Sequence, residues 1–208
     1  MIEYLRDPAE IYKRSFKIIK GEVDFSQQPQ NAEAIATRII HACGMPEIIN
    51  ELVITQDFAP AARAALAQHK PIIVDAEMVR HGIIARQLPV GVKIICTLND
   101  PRAKEIGLKN KITRSAAAVE LWLEHLNGAI VVIGNAPTAL FRLLELIDQS
   151  AVKPACVVAM PVGFVGAAES KAELIANPRG IPFATIRGRK GGSAMASSVM
   201  NALTSEQT

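Results

Sequence analysis

The sequence predicts an α/β fold in which a mostly parallel sheet is covered by helices on both faces, three layers deep, with residues 1–208 as a single domain. Three observations carry this expectation. Short, continuous, β-branched apolar runs recur along the chain, as expected of strands buried on both faces. Longer segments with helical spacing of apolar residues lie between most of them, and such alternation builds parallel sheets. No linker, repeat or low-complexity segment interrupts the pattern, and 208 residues are enough for one substantial core.

The elements follow in order. "PAEIYKRSFKIIKGE" (8–22) puts Ile11, Phe16, Ile18 and Ile19 on a broad apolar stripe and reads as a helix, as does "AEAIATRIIHAC" (32–43). Strand "ELVIT" (51–55) precedes helix "APAARAALAQH" (59–69). Strand "PIIVD" (71–75) leads into a short helix beginning near Glu77, and "VKIICTL" (92–98) is the next strand. A loop rich in Lys and Arg then leads to helix "TRSAAAVELWLEHL" (113–126). Strand "AIVVIG" (129–134), helix "APTALFRLLELIDQ" (136–149), strands "ACVVAM" (155–160) and "FATIRG" (183–188), and helix "GSAMASSVMNAL" (192–203) complete the series.

Composition narrows the function. Half the residues are apolar and 21% are charged, the balance of a globular protein. No uninterrupted apolar run reaches the roughly 18 residues a spanning helix needs. The charged start "MIEYLRDPAEIYKR" lacks the apolar core of a secretory signal. A cytoplasmic protein is expected. Net charge is +3, from 23 basic and 20 acidic side chains, and only nine aromatic rings are present. This is no footprint of a nucleic-acid binder, whereas an anionic small molecule needs only a few arginines focused on one cleft. Cys43, Cys96 and Cys156 are odd in number and widely spaced, as free thiols in a reducing compartment are.

Ligands of such folds gather where strands end and helices begin. "VIGNAPTALF" leaves its strand through Gly134-Asn135, and "TIRGRKGGSAM" leaves through Arg187, Arg189 and Lys190 before a helix opens at Gly192-Ser193. Backbone amides at helix starts attract anions, although Asn135 and Ser193 equally suit plain helix caps. Neither loop matches a dinucleotide or phosphate-loop glycine pattern. Asp75 reads as a cap for the helix that follows it, with Glu77 paired to Arg80 or His81. Arg114 opens a helix and opposes its dipole, which an anionic ligand or a distant carboxylate would offset.

All four histidines, His41, His69, His81 and His125, fall near expected helix ends. There an imidazolium gains about 0.3–2 kcal/mol from the dipole. Position alone therefore does not separate His41 as an acid from His41 as a resting cation. His41 and Cys43 are two apart on a helix and point away from each other. With no His-x-x-x-His or Glu-x-x-His pattern, no metal site is expected.

The blocks "RDPAEIYKRSF", "RIIHACG", "DAEMVRHGI", "TRSAAAVELW", "GNAPTALFRLLEL", "MPVGFVGAAESK" and "RGRKGGSAMA" run in order from residue 6 to 196. Together they resemble the precorrin-8X methylmutase family of cobalamin biosynthesis. The resemblance implies a flavodoxin-like three-layer fold and an isomerase that moves a methyl group from carbon eleven to carbon twelve of a precorrin-8 macrocycle. The product would be hydrogenobyrinate or, from cobalt-precorrin-8, cobyrinate. It implies no redox or nucleotide cofactor, and a homodimer with substrate clefts at its interface. The family's proton donor and acceptor carries onto His41, and its substrate-contacting serine onto Ser15. Arg38, Glu77, Arg114, Asn135 and Thr138 of the same blocks are further candidate substrate contacts. A corrinoid carrier without catalysis is the alternative. One departure is in "HGIIARQLP", where Ile84-Ala85 replace a Thr-Arg pair of several members, which removes a hydroxyl and shifts the arginine to Arg86.

Overall fold

The computed structural model describes residues 2–205. Its strands are β1 (Leu52–Ile54), β2 (Ile72–Val74), β3 (Ile94–Cys96), β4 (Ile130–Ile133), β5 (Cys156–Ala159) and β6 (Phe183–Ile186). Its α-helices are α1 (Pro8–Glu22), α2 (Glu33–Cys43), α3 (Phe58–Ala67), α4 (Glu77–Gly82), α5 (Pro101–Asn110), α6 (Arg114–Glu120), α7 (Pro137–Gln149), α8 (Ala167–Ala176) and α9 (Ser193–Thr204). None is long and apolar enough to cross a membrane among the described residues.

The strands form one sheet in the order β1-β6-β5-β4-β2-β3. All neighbours are parallel except β1, which runs antiparallel to β6 at one edge. Counted from β2, the five parallel strands stand in the order second, first, third, fourth, fifth, the flavodoxin-like winding. The winding reverses between β2 and β4, and the crevice beyond their carboxyl ends is where such sheets take ligands.

Period-two alternation divides the core. Ile72, Val74, Ile130, Val132, Val158 and Ala184 meet α2, α3, α4 and α9 on one face. Ile73, Val131, Ile133, Val157 and Ala159 meet Trp122, α7 and α8 on the other. β4, β5 and β6 are buried throughout, as their continuous apolar runs require. The principal helix packing is α2 against α9, with α4 also on α9 and α1 lying outside on α2. Gly134 permits the sheet to approach this layer closely. A β-carbon there would sit 2.8 Å from Val79 and Ala196 side-chain atoms and 2.9 Å from the Ser193 Cα.

Three expectations are corrected. The Lys- and Arg-rich stretch before Arg114 is helix α5, started by Pro101 and by the Asp100 carboxylate accepting from the Arg102 amide. Its apolar signal is faint because only Ala103 and Gly107 are buried. Helix α8 is likewise additional to the expected series. The helix expected over 113–126 ends at Glu120. Beyond it the Leu121, Trp122 and His125 amides each reach back three residues. The tightening has a cause: Trp122 is fully buried and its indole N–H donates to Thr97 Oγ1 at 2.9 Å, while that hydroxyl donates to the Ala118 carbonyl. His125 therefore lies in a turn rather than at a helix end.

Candidate active site

Helix α1 starts at the Asp7 cap, whose carboxylate accepts from the Glu10 amide, with Pro8 in the first turn. Tyr12, Ser15, Phe16 and Ile19 follow the i, i+3, i+4, i+7 spacing of one helix face. Ile19 is buried, so this face turns inward onto the end of α2. Helix α2 stops at Gly44, whose φ of +67° supplies the left-handed cap. His41 sits in its last turn. Ser15 Oγ and His41 Nδ1 lie 2.9 Å apart. Tyr12 flanks the imidazole at 5.4 Å between centroids, and Phe16 meets it edge-on at 5.5 Å.

One turn earlier on α2, the Arg38 guanidinium lies 5.6 Å from the Phe16 ring centre and 6.0 Å from that of Tyr12. It pairs with no carboxylate among the described residues. Ring faces hold the charge in place without neutralising it.

His41 stands between two hollows. A cavity of about 460 Å³ is walled by Tyr12, Arg38, Met78, Ile84 and Ser193 as well as His41. On its other side, a hollow of about 200 Å³ runs along α1 past Ser15 and Ile18 to Pro46. The helix dipole alone would raise the imidazole pKa. The structure shows the reverse: partial burial, and after it the Arg38 charge, lower it below the ordinary histidine value. Thus tertiary surroundings override the helix end.

Asp75 is 2% exposed and does not cap α4, whose first residues have no side-chain cap. Instead its carboxylate reaches across the winding reversal and accepts from the amides of Gly134 (2.9 Å), Asn135 (3.0 Å) and Ala136 (2.8 Å). Burial raises its pKa, while the amide bonds act in the opposite sense. The turn from β4 into α7 is therefore clamped from the neighbouring strand. α7 needs no side-chain cap of its own, and the Asn135 side chain serves as none. Ser193 is not a cap either: α9 begins after Gly192, and the Ser193 Oγ is buried without a hydrogen-bond partner among the described residues.

Glu77 pairs as expected, 3.6 Å from Arg80 and 3.8 Å from His81. The adjacent Cys96 thiol is pushed up to about 11, chiefly by burial, and stays protonated at neutral pH. Arg114 is exposed at the start of α6 and has no carboxylate partner among the described residues. Thr138 accepts from Thr113 Oγ1 at 2.8 Å and lines a separate hollow of about 460 Å³ with Phe141 and Arg142. The site residues read from sequence thus divide. Arg38 and His41 line one cavity and Ser15 bonds His41 from the neighbouring hollow, Glu77 and Asn135 stand at the winding reversal, and Arg114 and Thr138 lie beyond it. Among the described residues no three His, Cys, Asp or Glu side chains are placed to share a metal ion.

The family model described as precorrin-8X methylmutase matches residues 10–206. The chain belongs to the precorrin-8X methylmutase family. A precorrin-8X methylmutase of Sinorhizobium sp. is 51% identical over 97% of this chain and 96% of its own length. One of Pseudomonas aeruginosa is 48% identical over the full length of both. A cobalt-precorrin-8 methylmutase of Methanocaldococcus jannaschii is 34% identical, covering 93% of this chain and 88% of its own. The solved precorrin-8X methylmutase structure from Thermus thermophilus superposes with a TM-score of 0.84 at 33% identity, covering 94% of each chain.

Within this methylmutase fold, sequence reasoning left out Tyr12, Phe16 and Asn201 as site residues. The first two were signalled by their helical spacing around Ser15. Asn201 had no such signal: from mid-α9 it donates to the Gly82 carbonyl and accepts from the Ile84 amide, both at 2.9 Å. It thereby fixes one cavity wall. Ile84 presents an apolar side chain to that cavity, and Arg86 faces a different hollow with Arg80 and His81.

Proposed function

We propose that the protein moves the methyl group on carbon eleven of precorrin-8X to carbon twelve, giving hydrogenobyrinate, with His41 as the proton donor and acceptor. The observation that carries this reading is His41, held by the Ser15 hydroxyl at 2.9 Å and lining a cavity that also holds the uncompensated Arg38 charge. Arg38 attracts a carboxylate of the substrate, and charge-assisted contact of this kind fixes orientation. The imidazolium gives its proton to the conjugated macrocycle. The bond from methyl to carbon eleven then breaks as the bond to carbon twelve forms, and the imidazole takes the proton back. Nothing is oxidised or reduced. The Ser15 hydroxyl serves both states, donating to Nδ1 of the neutral ring and accepting from the charged one. Stabilising the protonated macrocycle during the shift is where binding energy accelerates the step.

The lowered His41 pKa sets the pH dependence. In the free protein the acid form is lost as pH rises through a midpoint below the ordinary 6.5. The profile of kcat/KM, which reports the free enzyme, falls accordingly. Bound substrate carboxylates favour the imidazolium, so the kcat profile is expected to fall at higher pH. Coincident profiles would contradict this assignment. Ser15→Ala removes the hydroxyl that steadies either tautomer and is expected to lower kcat by about tenfold. An unchanged kcat would leave Ser15 a bystander.

Metal-free precorrin-8X is the preferred substrate in this reading. The relatives at 48–51% identity are named for it, whereas those named for cobalt-precorrin-8 lie at 32–37%. The macrocycle is broader than a cavity of about 460 Å³, and Arg114 and Thr138 lie off it. A second copy of the chain completes the cleft in a homodimer. Three free cysteines fit a reducing cytoplasm. The test is to incubate the protein with metal-free and cobalt-bearing substrate and follow the visible spectrum. Conversion of the chromophore, faster without cobalt, is expected. Binding without any spectral conversion would overturn the reading in favour of a carrier, which the relatives' names do not support.

A further inference from the structure

The loop from β5 to α8 carries an apolar surface that the core does not use. Val162 is 44% exposed, Phe164 83% and Val165 88%. Neighbouring exposed apolar side chains of this kind mark a surface that meets a partner or a ligand, as a single one would not. Gly163 and Gly166 take φ values of +145° and +79°, which only glycine adopts cheaply, and Gly166 lies against Pro137 and Phe141 of α7.

The loop is tied to the one between β6 and α9. The Gly163 amide donates to the Arg189 carbonyl at 3.2 Å, and the Gly192 amide to the Met160 carbonyl at 2.8 Å. The Arg189 guanidinium lies 5.4 Å from the Phe164 ring centre and pairs with no carboxylate among the described residues. Behind this pair Lys171, fully buried on α8, donates its ammonium to the Lys190 carbonyl at 2.6 Å. The plate so formed stands at the carboxyl ends of β5 and β6. It continues through Gly192 into Ser193, one of the residues that line the His41 cavity.

We propose that Phe164 and Arg189 are a substrate-binding pair, the ring lying against the apolar face of the macrocycle and the guanidinium taking one of its peripheral carboxylates. The inference rests on the methylmutase reading and adds two contacts to it. A flat conjugated ring fringed with carboxylates asks for an aromatic face and a cation side by side, and the two loops hold them so before binding. This spares the ordering cost at the moment of association. The uncompensated charge selects an anion over a neutral apolar partner.

Both side chains are exposed, so their removal leaves the core alone. Phe164→Ala and Arg189→Gln are each expected to raise KM for precorrin-8X, and the dissociation constant for hydrogenobyrinate, about tenfold with kcat unchanged. Phe164→Tyr is expected to restore affinity, and Val90→Ala, at a side chain 93% exposed on another hollow, to change nothing. Wild-type KM in both variants overturns the proposal while leaving the methylmutase reading in place. A lower oligomer mass for Phe164→Ala in light scattering overturns it in favour of a subunit contact. No conversion by the wild-type protein overturns the methylmutase reading and this pair with it.

Discussion

His41→Ala is expected to lower kcat by about 10²–10⁴-fold, the range that a positioned acid contributes. The fold survives the change. His41 is exposed and meets the Ser15 hydroxyl and the Tyr12 and Phe16 rings, so the stability change stays within about 0.5 kcal/mol. In the proposed reading substrate affinity rests on Arg38 and the cavity walls, so KM is expected to move little. Stopped spectral assays alongside a thermal melt separate the two effects. Turnover at the wild-type rate would remove His41 from the chemistry. A collapsed melting temperature would show the imidazole to be part of the packing instead.

Asp75→Ala is expected to give the largest loss of stability, about 3–5 kcal/mol, because it strands three amides where the Asp75 carboxylate had satisfied them all. The Gly134 and Ala136 amides lie in buried residues, where water cannot replace the lost partner. Asp75→Asn keeps the shape and one acceptor oxygen, so an intermediate loss is expected. In that variant KM rises more than kcat falls, since Asp75 sets the turn carrying Asn135 but does not reach His41. Urea unfolding and steady-state kinetics check both parts. A loss below about 1 kcal/mol for Asp75→Ala would mean that the turn holds itself together.

Much of this was legible in the residues, and the failures share a cause. β4, β5 and β6 announced themselves because a strand buried on both faces needs an unbroken apolar run. The pairing of Glu77 with Arg80 and His81 followed from helical spacing alone. What was misread depended on distant partners. Asp75 stands beside its own helix in sequence, yet spends its carboxylate on amides about 60 residues away. The helix from Arg114 stops early because Trp122 anchors on Thr97, a hydroxyl 25 residues upstream. The His41 pKa moves against the helix dipole because partial burial beside α1, and after it the Arg38 charge, disfavour the imidazolium. α5 escaped notice for a different reason: a helix with two small buried residues leaves almost no periodic trace. Of the site, the Ser15–His41 couple was recoverable through the family resemblance, whereas Asn201 was not recoverable at all.

Helix α1 has Ile19 as its buried residue and rests on α2. The same helix furnishes the hydroxyl and both rings that surround the imidazole. The surroundings of the imidazole are thus set from the outermost strip of the molecule, while the sheet beneath supplies a rigid floor. Any neighbour that leans on this strip reaches the proton's environment without disturbing the scaffold.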